Sequence, residues 1–116
     1  MEETLYDILE KIRVHHSLFI GSKSLEKLAI FIGGFECASQ VLTNNPISFN
    51  SKFQIYIEYM VKNDSSKHWS VLIEESAQYR DAFELFYEYL DNFKEHVKTQ
   101  GDFEDLLKKH KEFLMT

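Results

Sequence analysis

Six carboxylates, Glu74, Glu75, Asp81, Glu84, Glu88 and Asp91, fall within eighteen residues that contain a single base, Arg80. The stretch EESAQYRDAFELFYEYLD carries a net charge of −5 and interleaves Tyr79, Tyr87 and Tyr89. Paired carboxylates can do acid–base work when two of them face across a cleft and one sits in an apolar pocket. Here the pairs Glu74-Glu75 and Glu84/Glu88 line up along a helix with no glycine-rich or polar pocket residues around them. The same residues suit a different task. One sign of charge beside rigid aromatic side chains attracts and then holds a basic partner. Glu84, Glu88 and Asp91 recur at i, i+4 and i+7 without intervening bases, and like charges at that spacing repel by a few tenths of a kcal/mol per pair. Elsewhere the chain balances its charges, as in the five acids and five bases from Phe93 onward. The expected partner-binding face is therefore Glu74, Glu75, Tyr79, Asp81, Glu84, Tyr87, Glu88 and Asp91, with Tyr79 and Tyr87 exposed.

The other chemistry-bearing residues are scattered. His15 and His16 are adjacent, so on a helix they diverge by about 100° and on a strand they point to opposite faces. Neither geometry suits two ligands of one metal. His68, His96 and His110 lack acidic or cysteine partners at ligand spacing. Cys37 reads as a buried structural thiol, because nothing argues for a lowered thiol pKa or a histidine beside it. Trp69, the one tryptophan, reads as a core anchor. No catalytic residue, cofactor or metal site is expected, and the chain reads as a binding protein and not an enzyme.

Composition bounds the rest. The chain has 116 residues, 44% of them hydrophobic and 15% aromatic, which is enough for one domain with a packed core. The net charge of −6 argues against direct nucleic-acid binding, which needs a basic stripe. The lysines Lys108, Lys109 and Lys111 suit the C-terminal end of a helix dipole. A single cysteine excludes an internal disulfide and fits a reducing compartment. MEETLYDILEKI is unlike a signal peptide, and no apolar run approaches the ~20 residues of a membrane span. A cytoplasmic protein without a membrane partner is expected.

Four Gly and one Pro leave little turn chemistry, so the fold class is all-α: a single compact domain over residues 1–116 with about six helices. The first helix should run from Glu3 to Arg13, with Glu2 and Glu3 at its dipole-favoured end. Leu18-Phe19-Ile20 reads as a buried extended connection closed by Gly21. A second helix capped by Ser22 or Ser24 reaches Leu42. Leu25, Leu28, Ile32, Phe35 and Ser39 share its buried face with Phe31, Ala38 and Leu42 beside them, and another helix or the Phe19 segment approaches Gly33-Gly34 closely. TNNPISFN is a loop ended by Pro46. Ser51 and Gln54 form a capping box for a helix over 52–62, followed by a shorter one over 67–75. The long fifth helix, 78–98, buries Ala82, Phe86, Tyr89, Phe93 and Val97, a stripe widened by Phe83, Leu85 and Leu90, and Asp102 caps the last helix, to Leu114.

The segment ILEKIRVHHSLFIGSKSLEKLAIFIGGF (Ile8–Phe35) resembles the start of a family of small bacterial immunity-type proteins associated with polymorphic or contact-dependent toxins. AFELFYEYLDNF (Ala82–Phe93) resembles that family's closing helix. Together the two cover about a third of the chain, through packing motifs and not chemistry. Val14-His15-His16-Ser17 departs from the family pattern of a basic residue, Pro and Gly. The Ile12–Gly21 region is also similar to a turn of type II topoisomerase ATPase domains, but later glycine-rich nucleotide motifs are absent. The first resemblance implies an immunity protein that binds and neutralises a cognate basic toxin, such as a nuclease, through the acidic helix. The alternative is a self-associating structural or regulatory module, a homodimer in which Phe49, Tyr56 and Tyr59 are buried against a second copy.

Overall fold

A computed structural model describes residues 2–43 and 48–115. The central residues of the expected TNNPISFN loop, Pro46 among them, lie outside the described residues, as does the side chain of Glu2. The chain is all-helical among the described residues. It has seven helices there and not six: α1 (Glu2–Val14), α2 (His16–Ile20), α3 (Leu25–Leu42), α4 (Phe49–Val61), α5 (Trp69–Ala77), α6 (Ala82–His96) and α7 (Gln100–Leu114). It divides into two compact units, Met1–Asn50 and Ser51–Thr116.

In the first unit α1 packs on α2 and α2 on α3. Leu5, Leu9 and Ile12 of α1 are fully buried at the i, i+4, i+7 spacing that sets one face of a helix. The added helix is α2. Leu18-Phe19-Ile20 was expected to be buried and extended, yet it is a helical turn with Leu18 and Phe19 exposed. It closes at Gly21, whose φ of 85° lies in the left-handed region that glycine enters at little cost. Ser24 caps α3, its side chain accepting the Lys27 N–H at 3.2 Å. Leu25, Leu28, Ile32 and Ser39 are buried as their spacing predicts, with Phe31 and Phe35 half-buried, whereas Ala38 and Leu42 beside them are exposed. Glu36 accepts the Asn50 N–H at 2.7 Å, and the Tyr6 ring meets Phe49 edge-on.

The second unit is built around aromatic rings. Phe53 of α4 is 5.1 Å from Trp69, 5.5 Å from Phe86 and 5.4 Å from Phe93, centroid to centroid, all edge-to-face. Trp69 stacks on Phe86 at 5.3 Å. Such pairs add about 0.5–1.5 kcal/mol each beyond area burial, and Trp69 is the core anchor its sequence context suggested. Helix α4 begins before Ser51, so the expected capping box does not form there. Gln54 instead turns its amide toward the start of α5, donating to the Lys67 carbonyl and accepting the Trp69 N–H, both at 2.7 Å. Helix α7 is capped by Thr99. Asp102 is the third helical residue of a reciprocal capping box and not the cap itself.

Candidate functional site: the acidic surface of helices α5 and α6

Helices α5 and α6 pack together through a tight turn, Gln78-Tyr79-Arg80-Asp81. The sequence suggested a helix running through this turn from Gln78. The chain turns here because Gln78 takes a positive φ of 55° and Asp81 starts α6 as its N-cap. The Asp81 carboxylate accepts the Phe83 N–H at 2.8 Å and the Glu84 N–H at 3.2 Å. An N-cap of this kind stabilises a helix by ~1 kcal/mol. Asp81 thus builds the surface as well as charging it.

Tyr79 stands at the turn with its side chain fully exposed. Glu74 and Glu75 are exposed on the last turns of α5. Glu84, Glu88 and Asp91 are exposed along α6, on one face by their 4 and 3 spacing. Glu95, which the sequence reading did not include, is also exposed and continues the row at i+11. The four acids span about 16 Å at a rise of 1.5 Å per residue. The same spacing rule, carried one step past Asp91, would have found Glu95.

Tyr87 requires a correction. It was expected on the exposed face, but it is 1% exposed and packs its ring on Phe83 at 5.2 Å and Phe86 at 5.0 Å. The buried residues of α6 are Phe83, Leu85, Phe86, Tyr87, Leu90 and Phe93, so the expected stripe holds at Phe86 and Phe93 and at Phe83, Leu85 and Leu90 beside them, while Ala82 and the flanking Val97 are half-buried and Tyr87 is added. Tyr89 is half-buried. The expected outward aromatics thus reduce to Tyr79.

Bases trim the acidic charge locally. Lys67 pairs with Glu75 at 2.7 Å, and Arg80 reaches over to pair with Glu88. Glu95 pairs loosely with Lys98 at 3.8 Å. All three pairs are solvent-exposed, and such pairs contribute about 0–1 kcal/mol, so an incoming base can replace the partner at little cost. Glu84 and Glu88 do not sit in an apolar pocket, the environment that a carboxylate acid needs at neutral pH.

A groove of about 340 Å³ runs among α4, α6 and α7, lined by Tyr56, Tyr59, Asn92, His96, Asp105 and Lys109. Sequence spacing does not reveal it, because its residues come from three helices. The Tyr56 hydroxyl donates to Asn92 Oδ1, and its pKa is pushed up to about 12, chiefly by burial and then by Tyr89. The self-association face suggested by sequence also needs correction: Phe49 and Tyr56 are buried, and Tyr59 is half-buried beneath the Lys62 ammonium. Cys37, expected to be buried, is exposed. Among the described residues no group of three or more His, Cys, Asp or Glu is placed to hold a metal ion, and no helix is long and apolar enough to cross a membrane.

In comparisons with known proteins, the chain matches no protein family, no curated protein and no solved structure.

Proposed function

We propose that this protein binds a basic protein, and that the partner is a cognate bacterial toxin domain, such as a nuclease, which it neutralises. The observation that carries the reading is the exposed row Glu84, Glu88, Asp91 and Glu95 on α6 beside the fully exposed Tyr79. A nuclease holds phosphate with Lys and Arg, so its active site presents the complementary charge. Steering between opposite charges accelerates encounter, and close charge pairs across such an interface couple by about 1.5–7 kcal/mol. Tyr79 supplies a rigid amphipathic anchor of the kind that dominates interface energetics. Binding of this type requires no catalytic group on the inhibitor.

The test is co-expression with the product of the neighbouring gene, followed by co-purification and a growth assay. The reading expects that product to be toxic alone, and to be captured and neutralised by this chain. A product that is toxic but neither bound nor neutralised would count against it.

A further inference from the structure

One face of α3 has no occupant among the described residues. Ile30, Gly33, Gly34, Cys37, Ala38, Val41 and Leu42 are all exposed, Ile30 by 69%, Val41 by 78% and Leu42 by 80%. Gly33 and Gly34 sit in the helix interior, where each costs roughly 0.5–1 kcal/mol relative to Ala. A Cβ added at either would meet nothing within 4 Å. The close approach expected of them is therefore not made within the chain, and their small size is unexplained by the monomer.

We propose that this face pairs with the same face of a second copy, α3 against α3 in antiparallel orientation, in a weak reversible dimer. The inference is independent of the acidic surface. Its basis is self-complementarity. Ile30, Gly34, Cys37 and Val41 follow a 4, 3, 4 spacing, which is the seam of two helices packed side by side. A two-fold axis passing between Phe35 and Glu36 sets Ile30 against Val41 of the second copy, Gly34 against Cys37, and Gly33 against Ala38. Large residues meet at the ends and small ones at the centre, where the helix backbones approach most closely. A two-fold interface demands such pairing of a patch with itself.

Charge agrees. Two copies of a chain with net charge −6 repel, so a shared face is favoured where it brings no further like charges together. Between Leu28 and Leu42 the only charged side chain is Glu36, whose carboxylate is turned aside to the Asn50 N–H at 2.7 Å. Area agrees with a weak association. Burying a Val, Leu or Ile removes roughly 60–120 Å² from water, so this face contributes on the order of 400–500 Å² per copy. That total is at the low end for specific interfaces, where binding is reversible.

Sedimentation of the full chain over about 5–200 μM tests the proposal. The wild-type mass should rise with concentration toward twice that of one chain. Gly34→Glu should weaken association by at least about tenfold while retaining the helical spectrum, because its side chain has open space in the monomer. Gln100→Glu, which adds the same charge on α7, should leave association unchanged. Register is read by mixing wild type with the double variant Gly34→Cys, Cys37→Ser under copper-catalysed oxidation by dissolved oxygen. The mixed disulfide should form faster than either homodimer. A wild-type chain that stays monomeric throughout, or a Gly34→Glu variant that associates like wild type, would overturn the dimer. Preferential Cys37–Cys37 linkage in wild type would overturn the antiparallel register.

Discussion

The Oε1 atom of Gln54 accepts the backbone N–H of Trp69 at 2.7 Å, which ties the middle of α4 to the first residue of α5. The same amide donates to the Lys67 carbonyl at 2.7 Å and to Glu58 Oε2 at 2.8 Å. One side chain thus satisfies the approach to α5 and sets the Trp69 ring among Phe53 and Phe86. Gln54→Leu leaves these partners without their bonds. We expect a loss of ~1–3 kcal/mol, measured as a lower urea midpoint with tryptophan fluorescence as the probe.

Tyr79 and Tyr87 separate binding from folding. Tyr79→Ala removes a fully exposed ring and should change stability by no more than about 0.5 kcal/mol. Tyr87→Ala empties a site between Phe83 and Phe86 and should cost about 3–5 kcal/mol, the range for truncating a large buried aromatic. Thermal melts of the two variants check the contrast. Of the pair, only Tyr79→Ala should weaken partner binding while leaving the melt intact.

Acid should act on the α7 cap. The Lys98 and Thr99 N–H groups donate to the Asp102 carboxylate and hold its pKa below the ordinary 3.8. A carboxylate depressed in the folded state contributes stability that is full above pH 3.8 and is lost as pH falls through the lower folded value. The stability difference between wild type and Asp102→Asn should therefore be constant around neutral pH and shrink as pH falls below about 4. Urea unfolding at several pH values measures it.

His68 should respond in the same direction at higher pH. Its Nδ1 accepts the Ser70 N–H at 3.1 Å as the N-cap of α5, a role open only to the neutral ring. Burial lowers its pKa from 6.5. The folded state thus binds the proton less well than the unfolded chain, so the contribution is full above pH 6.5 and declines as pH falls through the lower folded value. His68→Asn retains a capping oxygen and should remove this part of the pH dependence, seen as a flatter melting-temperature profile across that window.

Much of the fold could be read from periodicity. The all-α class, the extents of α1 and α3, and the Leu25, Leu28, Ile32 and Ser39 face follow from 3.6-residue spacing. Elements fixed by one residue's backbone or hydrogen bond were harder to read. The Gln78 turn interrupts a continuous helical pattern through its positive φ, and Asp81 as a cap was masked by its place among other acids. In α6 the choice between Tyr87 and Tyr89 was the part that could not be read, because Phe, Tyr and Leu fill seven of the twelve positions from 82 to 93. Both tyrosines lie next to apolar residues, and it is Tyr87 whose ring packs on Phe83 and Phe86. At α3 the apolar character was legible, but burying Cys37, Ala38 and Leu42 and covering Gly33-Gly34 assumed partners that the described residues do not supply. The carboxylates, apart from Glu95, were legible because charge at helical spacing needs no tertiary information.

The central claim is that the α6 acids carry recognition of a basic partner. The most direct measurement is calorimetric titration of the co-purified partner with wild type and with Glu84→Lys, Glu88→Lys. The double reversal should weaken binding by at least about a hundredfold, roughly 2.7 kcal/mol, and wild-type affinity should fall as salt is raised. Unchanged affinity in the double variant, with its helical content and melting temperature intact, would contradict it.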